Sequence, residues 1–160
     1  MDDFARPRRM RGDILFGPLF TLGVLAAIAI PAYFDYTIRS QVIEGLNLAS
    51  GVKAEVAESY AVNGVWPVDL KQAGLTGAPH GHYVTSVTVR NGTITIRFGG
   101  QANQSIARHQ LTLRPTTTER GDVMWSCGYS PDLGVDPPKG AAAPHATNIE
   151  RKFLPKACRG

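Results

Sequence analysis

The feature that most constrains this chain is a helical pattern over residues 14–48 that begins apolar and becomes amphipathic. Residues 14–34 carry no charged side chain. At about 1.5 Å per helical residue they would extend about 31 Å, which is roughly the thickness of a bilayer's hydrocarbon layer. Eleven of these residues are Ile, Leu, Val or Phe, the types that favour insertion at mid-membrane. We therefore predict a membrane-spanning half-helix over residues 14–34.

Beyond Asp35 the pattern becomes amphipathic, with apolar residues three and four positions apart and charged residues mostly off that stripe. Asn63-Gly64 predicts the end of the helix, because glycine readily adopts the left-handed conformation of a helix stop. Trp66-Pro67 then prevents the helix from resuming. We predict that the stripe is covered by a sheet. Its members are Ile38, Val42, Leu46, Ala49, Val52, Val56 and Tyr60.

Residues 25–67, LAAIAIPAYFDYTIRSQVIEGLNLASGVKAEVAESYAVNGVWP, resemble the N-terminal helix of type IV pilins, the subunits of bacterial type IV pili. In that family an apolar half-helix with a central proline packs in the filament core, and the other half lies on a four-stranded antiparallel sheet. The resemblance thus implies an α+β fold with a C-terminal disulfide loop. Small residues let neighbouring helices approach closely. The candidate filament-core residues are Gly23, Ala26, Ala27, Ala29 and Pro31.

The start of the chain departs from the family pattern. Type IV pilins carry Gly-Phe-Thr-Leu-Ile-Glu, where a peptidase cuts after the glycine and the glutamate helps to register a new subunit. Here Phe20, Thr21 and Leu22 remain, but Gly23 follows and the glutamate is missing. The candidate processing positions are Gly12 and Gly17.

Residues 1–13 form a short leader with four arginines immediately before the apolar run. Positive charge on that side predicts an N-terminus in the cytoplasm and a globular domain, residues 35–160, on the outside. Two alternatives stay open. One is a cleaved secretory signal with Ala27-Ile28-Ala29 as its cleavage site, and the other is a plain single-span anchor without a filament role.

A β-hairpin is predicted over residues 83–98, where two alternating runs flank Asn91-Gly92, a pair that tolerates positive φ. The valines, isoleucines and phenylalanine of the hairpin should face the helix, leaving threonines and arginines outside. Residues 109–114 predict a third strand that ends at Pro115, and residues 123–127 a fourth. Residues 68–81 read as a loop.

The two cysteines add to the resemblance. Trp125-Ser126-Cys127 and the segment 153–158, FLPKAC, are similar to the C-terminal motifs of pilins, whose two cysteines close a disulfide loop. The resemblance implies a bond between Cys127 and Cys158. A domain outside the inner membrane meets an oxidising compartment, and closing such a loop stabilises a fold by roughly 3–4 kcal/mol.

The net charge of +4 is mild, and its excess lies late in the sequence, where residues 81–160 hold ten lysines and arginines against five acidic residues. Such an excess could form a face that binds phosphates or other polyanions. The simpler interpretation is a solvated charged surface. The candidate polyanion-binding residues are Arg90, Arg97, Arg108, Arg114, Arg151, Lys152, Lys156 and Arg159.

Motifs of catalysis are scarce. The sequence has no glycine-rich phosphate loop after a strand and no Gly-x-Ser-x-Gly elbow. His80-Gly81-His82 could hold a surface metal, but no nearby cysteine or acid completes a site. We therefore expect neither an enzyme nor a bound cofactor or metal.

The resemblance implies a structural subunit of a type IV pilus that supports adhesion, twitching motility or DNA uptake. Its partners would be like subunits in a helical filament and the pilus machinery of the inner membrane, with its cytoplasmic ATPases. The chain would lie in the inner membrane before assembly and in a surface pilus afterwards. The alternatives are a minor pilin that binds nucleic acid and an uncleaved, membrane-anchored pilin-like protein that does not assemble.

Overall fold

The structure is a computed structural model that describes residues 13–132, 134 and 146–160. The chain divides into two compact units at the junction between Phe34 and Asp35. Most of the predicted leader, with Gly12, lies outside the described residues, as does much of the predicted disulfide loop.

The helix α1 spans Asp13–Asn63 and contains Pro31. Within the described residues, its segment Gly17–Asn63 is long and apolar enough, by length and composition, to cross a membrane. The predicted helix stop is confirmed. Gly64 has a φ of +68°, and its N–H donates a hydrogen bond of 2.8 Å to the carbonyl of Tyr60.

The part of α1 after Asp35 buries most of the predicted apolar stripe in the core of the second unit, while Leu46 and Tyr60 are partly buried. Gly45 lies within this stripe and lets the helix approach the sheet closely. A methyl group at Gly45 would lie 2.8 Å from Cζ of Phe98 and 2.9 Å from Cγ2 of Ile96. The fully buried members of the stripe are Ile38, Val42, Ala49, Val52 and Val56.

Four antiparallel strands form one sheet in the order in which they occur along the chain. They are β1 (Val84–Arg90), β2 (Thr93–Phe98), β3 (Gln110–Thr117) and β4 (Val123–Cys127). This confirms the predicted α+β fold of a long N-terminal helix and an antiparallel meander. The hairpin residues predicted to face the helix are buried, namely Val87, Val89, Ile94, Ile96 and Phe98.

The turn between β1 and β2 has the predicted backbone. Asn91 and Gly92 have φ values of +45° and +76°, as a two-residue hairpin turn requires. Gly92 is also a point of close approach, since a Cβ there would lie 3.0 Å from Cε3 of Trp66. The Trp66 ring in turn stacks on Tyr60 with centroids 3.9 Å apart. The hairpin turn and the end of α1 are therefore packed through one tryptophan.

β3 differs from the prediction in length and in burial. It continues through Pro115, which pairs with Trp125 of β4. Because β2 pairs with β3 only as far as Leu113, the missing N–H of Pro115 removes no hydrogen bond to β2. All residues from 111 to 117 are buried, so the polar side chains of β3 are covered, including that of Arg114, a predicted polyanion-binding residue.

The segment that follows the undescribed residues supplies part of this cover. The N–H of Gln110 donates to Oδ1 of Asn148 at 2.7 Å, and the N–H of Thr112 donates to Oγ1 of Thr147 at 3.1 Å. Two short 3-10 helices follow, Arg151–Phe153 and Lys156–Cys158. Apolar side chains of this region join the core, namely Ile149, Phe153 and Leu154.

Candidate functional site: assembly helix and disulfide region

The first part of α1 exposes an apolar surface. Every side chain that the structure describes between residues 17 and 34 is exposed, including Leu19 at 67% and Phe20 at 74%. Contiguous apolar surface of this extent marks a protein or membrane interaction site. This part of α1 can therefore be covered by lipid or by other apolar helices.

The small residues in this part of α1 leave room for a neighbouring helix. A methyl group at Gly17 or Gly23 would meet nothing within 4 Å, and Ala26 and Ala27 lie three and four positions after Gly23, on its face of the helix. Pro31 belongs to α1, but the placement of its side chain is not described. Of the candidate processing positions, Gly17 lies within α1 and Gly12 lies outside the described residues.

Thr21 satisfies its polar group inside α1. Its hydroxyl oxygen lies 2.9 Å from the carbonyl oxygen of Pro18 and 3.1 Å from that of Gly17, so its proton has an acceptor within the preceding turn. A hydroxyl satisfied in this way does not oppose contact with lipid or apolar side chains.

The disulfide joins Cys127, the last residue of β4, to Cys158 in the last short helix. Its two Cα atoms are 4.6 Å apart. Beside it, the N–H of Tyr129 donates to the carbonyl of Cys158 at 3.0 Å, and the hydroxyl of Ser130 donates to the carbonyl of Ala157 at 2.6 Å. The bond implied by the sequence is present, and hydrogen bonds to backbone carbonyls hold the two ends of its loop together.

Arg114 is the largest correction to the predicted site residues. The sequence makes it a candidate for polyanion binding, but it is buried in β3, with 2% exposure. Its Nε donates to Oδ1 of Asp132 at 2.9 Å, its Nη1 to the carbonyl of Gly128 at 2.8 Å and its Nη2 to the carbonyl of Ser130 at 2.6 Å. A guanidinium engaged in this way is not available to a ligand, so the prediction for Arg114 is wrong. It fixes the start of the disulfide loop instead.

A sequence model of the pilin family, described as a bacterial filament protein, matches residues 38–159. Over 143 residues the chain is 40% identical to the type IV major pilin protein PilE1 of Neisseria gonorrhoeae, covering 86% of this chain and 79% of that protein. The chain belongs to the type IV pilin family. It is also 38% identical over 146 residues to a fimbrial protein of Neisseria meningitidis serogroup B, covering 86% of this chain and 85% of that protein. The fimbrial protein EcpC of Eikenella corrodens is 38% identical over 144 residues, with 86% of this chain and 81% of that protein covered. These relatives confirm the family and the structural role, in a pilus, that the sequence predicted.

A group of polar contacts made by α1 of this pilin, like the burial of Arg114, has no signal in the local sequence pattern. Three polar side chains within two turns of α1 hold three separate segments of the chain. Nη2 of Arg39 donates to the carbonyl of Lys152 at 2.8 Å. Oε1 of Gln41 accepts the N–H of Asn103 at 2.8 Å. The third side chain, Glu44, uses Oε1 to accept the N–H of the loop residue 82 at 2.7 Å. We call Arg39, Gln41 and Glu44 the polar clamp.

The basic residues near the C-terminus of this pilin are partly engaged in local contacts. The guanidinium of Arg151 lies 4.4 Å from the ring centroid of Tyr129 and also donates to the carbonyl of Arg159. Nζ of Lys152 lies 2.9 Å from Oε2 of Glu150, and this hydrogen bond raises the pKa of Lys152 above its usual value. These contacts reduce the number of cations that a polyanion could recruit from this region.

The four other candidate cations lie on several different elements of the globular domain. Lys156 is exposed, and Arg108 has a φ of +65° in the β2–β3 connection. Arg90 and Arg97 are exposed on β1 and β2 and line a groove. The structure thus brings two of the predicted residues to one concave surface.

Proposed function

We propose that this pilin is stored in the inner membrane and then built into a type IV pilus through the same apolar residues, 14–34. Residues 1–13 would be the basic leader on the cytoplasmic side, and residues 35–160 the globular domain on the periplasmic side and later on the filament surface. The observation that carries this proposal is the complete exposure of the described apolar side chains between residues 17 and 34.

The filament arrangement follows from the same surface. In lipid, apolar helices associate through close packing of small residues rather than through the hydrophobic effect. Gly23, Ala26, Ala27 and Ala29 would let α1 approach the α1 helices of neighbouring subunits. The assembly machinery of the inner membrane, including its ATPases, would be the partner that moves the helix from lipid to filament. Adhesion, twitching motility and DNA uptake are the outputs that we assign to the assembled filament.

Surface filaments sheared from cells that express the full chain test this proposal. We expect the chain in the sheared fraction, and N-terminal sequencing of that fraction would show whether the leader is removed at Gly12, at Gly17 or not at all. If the chain were absent from sheared filaments and remained intact in the inner membrane, it would be a membrane-anchored protein that does not assemble. Release of a soluble domain that begins after Ala29 would instead indicate a secretory signal.

A double variant separates helix packing from membrane insertion. Ala26→Leu with Ala27→Leu keeps the segment apolar and should still insert, but it removes the close approach between helices. We expect normal membrane levels and fewer filaments. The matched control is Leu25→Ile, which changes shape without adding volume and should assemble normally. Equal filament yields from the double variant and the control would contradict the assigned packing surface.

The structure reduces the support for nucleic acid as a partner. Arg114 is buried, and Arg151 and Lys152 contact Tyr129 and Glu150. A phosphate-binding face made of the predicted residues would therefore have fewer free cations than the sequence indicates. Retention of duplex DNA that falls steeply as salt rises would favour the nucleic acid alternative.

A further inference from the structure

A groove of about 810 Å³ lies between residues 69–78 of the loop after α1 and the outer face of β1 and β2. Backbone hydrogen bonds hold this loop along β1. The N–H of Val87 donates to the carbonyl of Pro79 at 3.0 Å, and the N–H of Asn91 donates to the carbonyl of Val68 at 3.3 Å. The loop that forms one wall of the groove is thus anchored near both of its ends to the β1–β2 hairpin.

Hydroxyl groups lie in the middle of the groove floor, and one arginine lies towards each end. Thr88 pairs with Thr95 across the two strands, Ser86 pairs with Arg97, and Arg90 pairs with the first residue of β2. Arg90 lies four positions after Ser86, which is about 13 Å along a strand. Among the described residues, the hydroxyls of Ser86, Thr88 and Thr95 have no hydrogen-bond partner. The floor therefore offers neutral hydrogen-bonding groups between two cations.

The charge of the groove is positive. Arg90, Arg97 and Lys71 line it together with one carboxylate, that of Asp69. Oδ1 of Asp69 accepts the N–H of Gln72 at 2.8 Å, so this acid is engaged in its own loop. Within residues 13–132, 134 and 146–160, neither arginine of the groove forms an ion pair.

We propose that this groove binds an acidic oligosaccharide, whose sugar hydroxyls pair with the serine and threonines of the floor and whose carboxylate or sulfate groups pair with Arg90 and Arg97. The volume falls within the roughly 300–1,000 Å³ of sites that hold small ligands. Guanidinium groups match planar or tetrahedral anions through two parallel hydrogen bonds. No aromatic side chain lines the described walls, so the groove lacks the stacking platforms that bind single-stranded bases. The proposal does not depend on filament assembly.

Fluorescence anisotropy on the detergent-solubilised full chain tests the proposed oligosaccharide binding, with a labelled heparin-derived hexasaccharide as the probe. A hyaluronate hexasaccharide separates recognition of carboxylate from recognition of sulfate. Arg90→Gln with Arg97→Gln should weaken binding at least about tenfold, as expected for the loss of charge-assisted hydrogen bonds. The matched control is Arg120→Gln, at an exposed arginine of the β3–β4 turn that does not line the groove. We expect this variant to change the binding affinity by less than about twofold, because an exposed charge outside the site contributes little. Urea unfolding of each variant checks that its fold is intact.

Four results would overturn the proposal. The groove double variant could bind the probe as tightly as the parent chain, or Arg120→Gln could weaken binding by the same factor. A desulfated, carboxyl-reduced hexasaccharide could bind equally well, which would exclude recognition of the acidic groups. Finally, a single-stranded or duplex oligonucleotide could bind more tightly with the same dependence on the two arginines, which would assign the groove to nucleic acid.

Discussion

Nε of Arg114 donates a hydrogen bond of 2.9 Å to Oδ1 of Asp132, and this ion pair joins the third strand of the sheet to the start of the disulfide loop. Two backbone carbonyls take the other nitrogens of the guanidinium. The Arg114 side chain is buried, so a guanidinium that lost these partners could be hydrated only if the fold opened.

Asp132→Ala should therefore destabilise the domain strongly. Removing one partner of a buried ion pair costs about 3–5 kcal/mol, and the partial exposure of Asp132 places the expected loss of unfolding free energy at or below the lower end of that range. Urea unfolding of the full chain in detergent measures it. Asp122→Ala, at an exposed turn position, is the matched control and should change stability by less than about 0.5 kcal/mol. Equal stabilities would show that Arg114 is satisfied by carbonyls alone.

Gly45 and Gly51 provide an internal comparison on one helix. Gly45→Ala places a methyl group against Phe98 and Ile96, and overpacking of this kind destabilises by about 1–3 kcal/mol. Gly51 is exposed, and a methyl group added there would meet nothing within 4 Å, so Gly51→Ala should stabilise by roughly 0.5–1 kcal/mol through helix propensity. Thermal unfolding of the two variants should shift the midpoint in opposite directions. A shift in the same direction would contradict the close approach at Gly45.

The disulfide should contribute substantially to stability. We expect Cys127→Ser with Cys158→Ser to lower the unfolding free energy by about 2–5 kcal/mol, because the loop between the two cysteines is no longer constrained in the unfolded chain. Hydrogen exchange should rise around Tyr129, whose N–H donates to the carbonyl of Cys158, and around Ser130, whose hydroxyl donates to the carbonyl of Ala157. Unchanged exchange there would mean that those hydrogen bonds, rather than the disulfide, fix the two ends of the loop.

Glu44 should control the order of the loop after α1. Its Oε1 accepts the N–H groups of His82 and Tyr83, so Glu44→Ala leaves two donors without this acceptor and should cost about 1 kcal/mol. Limited proteolysis should then cut faster near residues 79–83. Glu58→Ala on the exposed face of the same helix is the control and should leave the cleavage rate unchanged. Equal cleavage of both variants would contradict the clamp.

Local signals predicted much of the fold, because each depends on a few neighbouring residues. Gly64 and Asn91-Gly92 adopt positive φ, and most of the apolar stripe after Asp35 is buried as its spacing predicts. The family resemblance pairs the two cysteines correctly. These features do not depend on which distant segment covers which face.

The errors concern contacts made by distant parts of the chain. The outer face of β3 is buried by residues such as Asp132 and Thr147, and nothing within β3 itself reveals that cover. By its local pattern Arg114 is therefore indistinguishable from an exposed strand arginine. The sequence pattern also predicts that β3 ends at Pro115. The strand continues because β2 no longer pairs with β3 at this proline, and the extent of that pairing cannot be read from the sequence of β3. The groove beside Arg90 and Arg97 likewise depends on where the loop after α1 lies.

The polar clamp has a mechanical consequence. Arg39, Gln41 and Glu44 attach one short stretch of helix to the C-terminal segment, to the β2–β3 connection and to the loop that precedes β1. Tension applied to this stretch of α1 would be shared among three attachment points. The strand ladder would then not have to bear the load by itself, and stretching would first loosen the connecting segments.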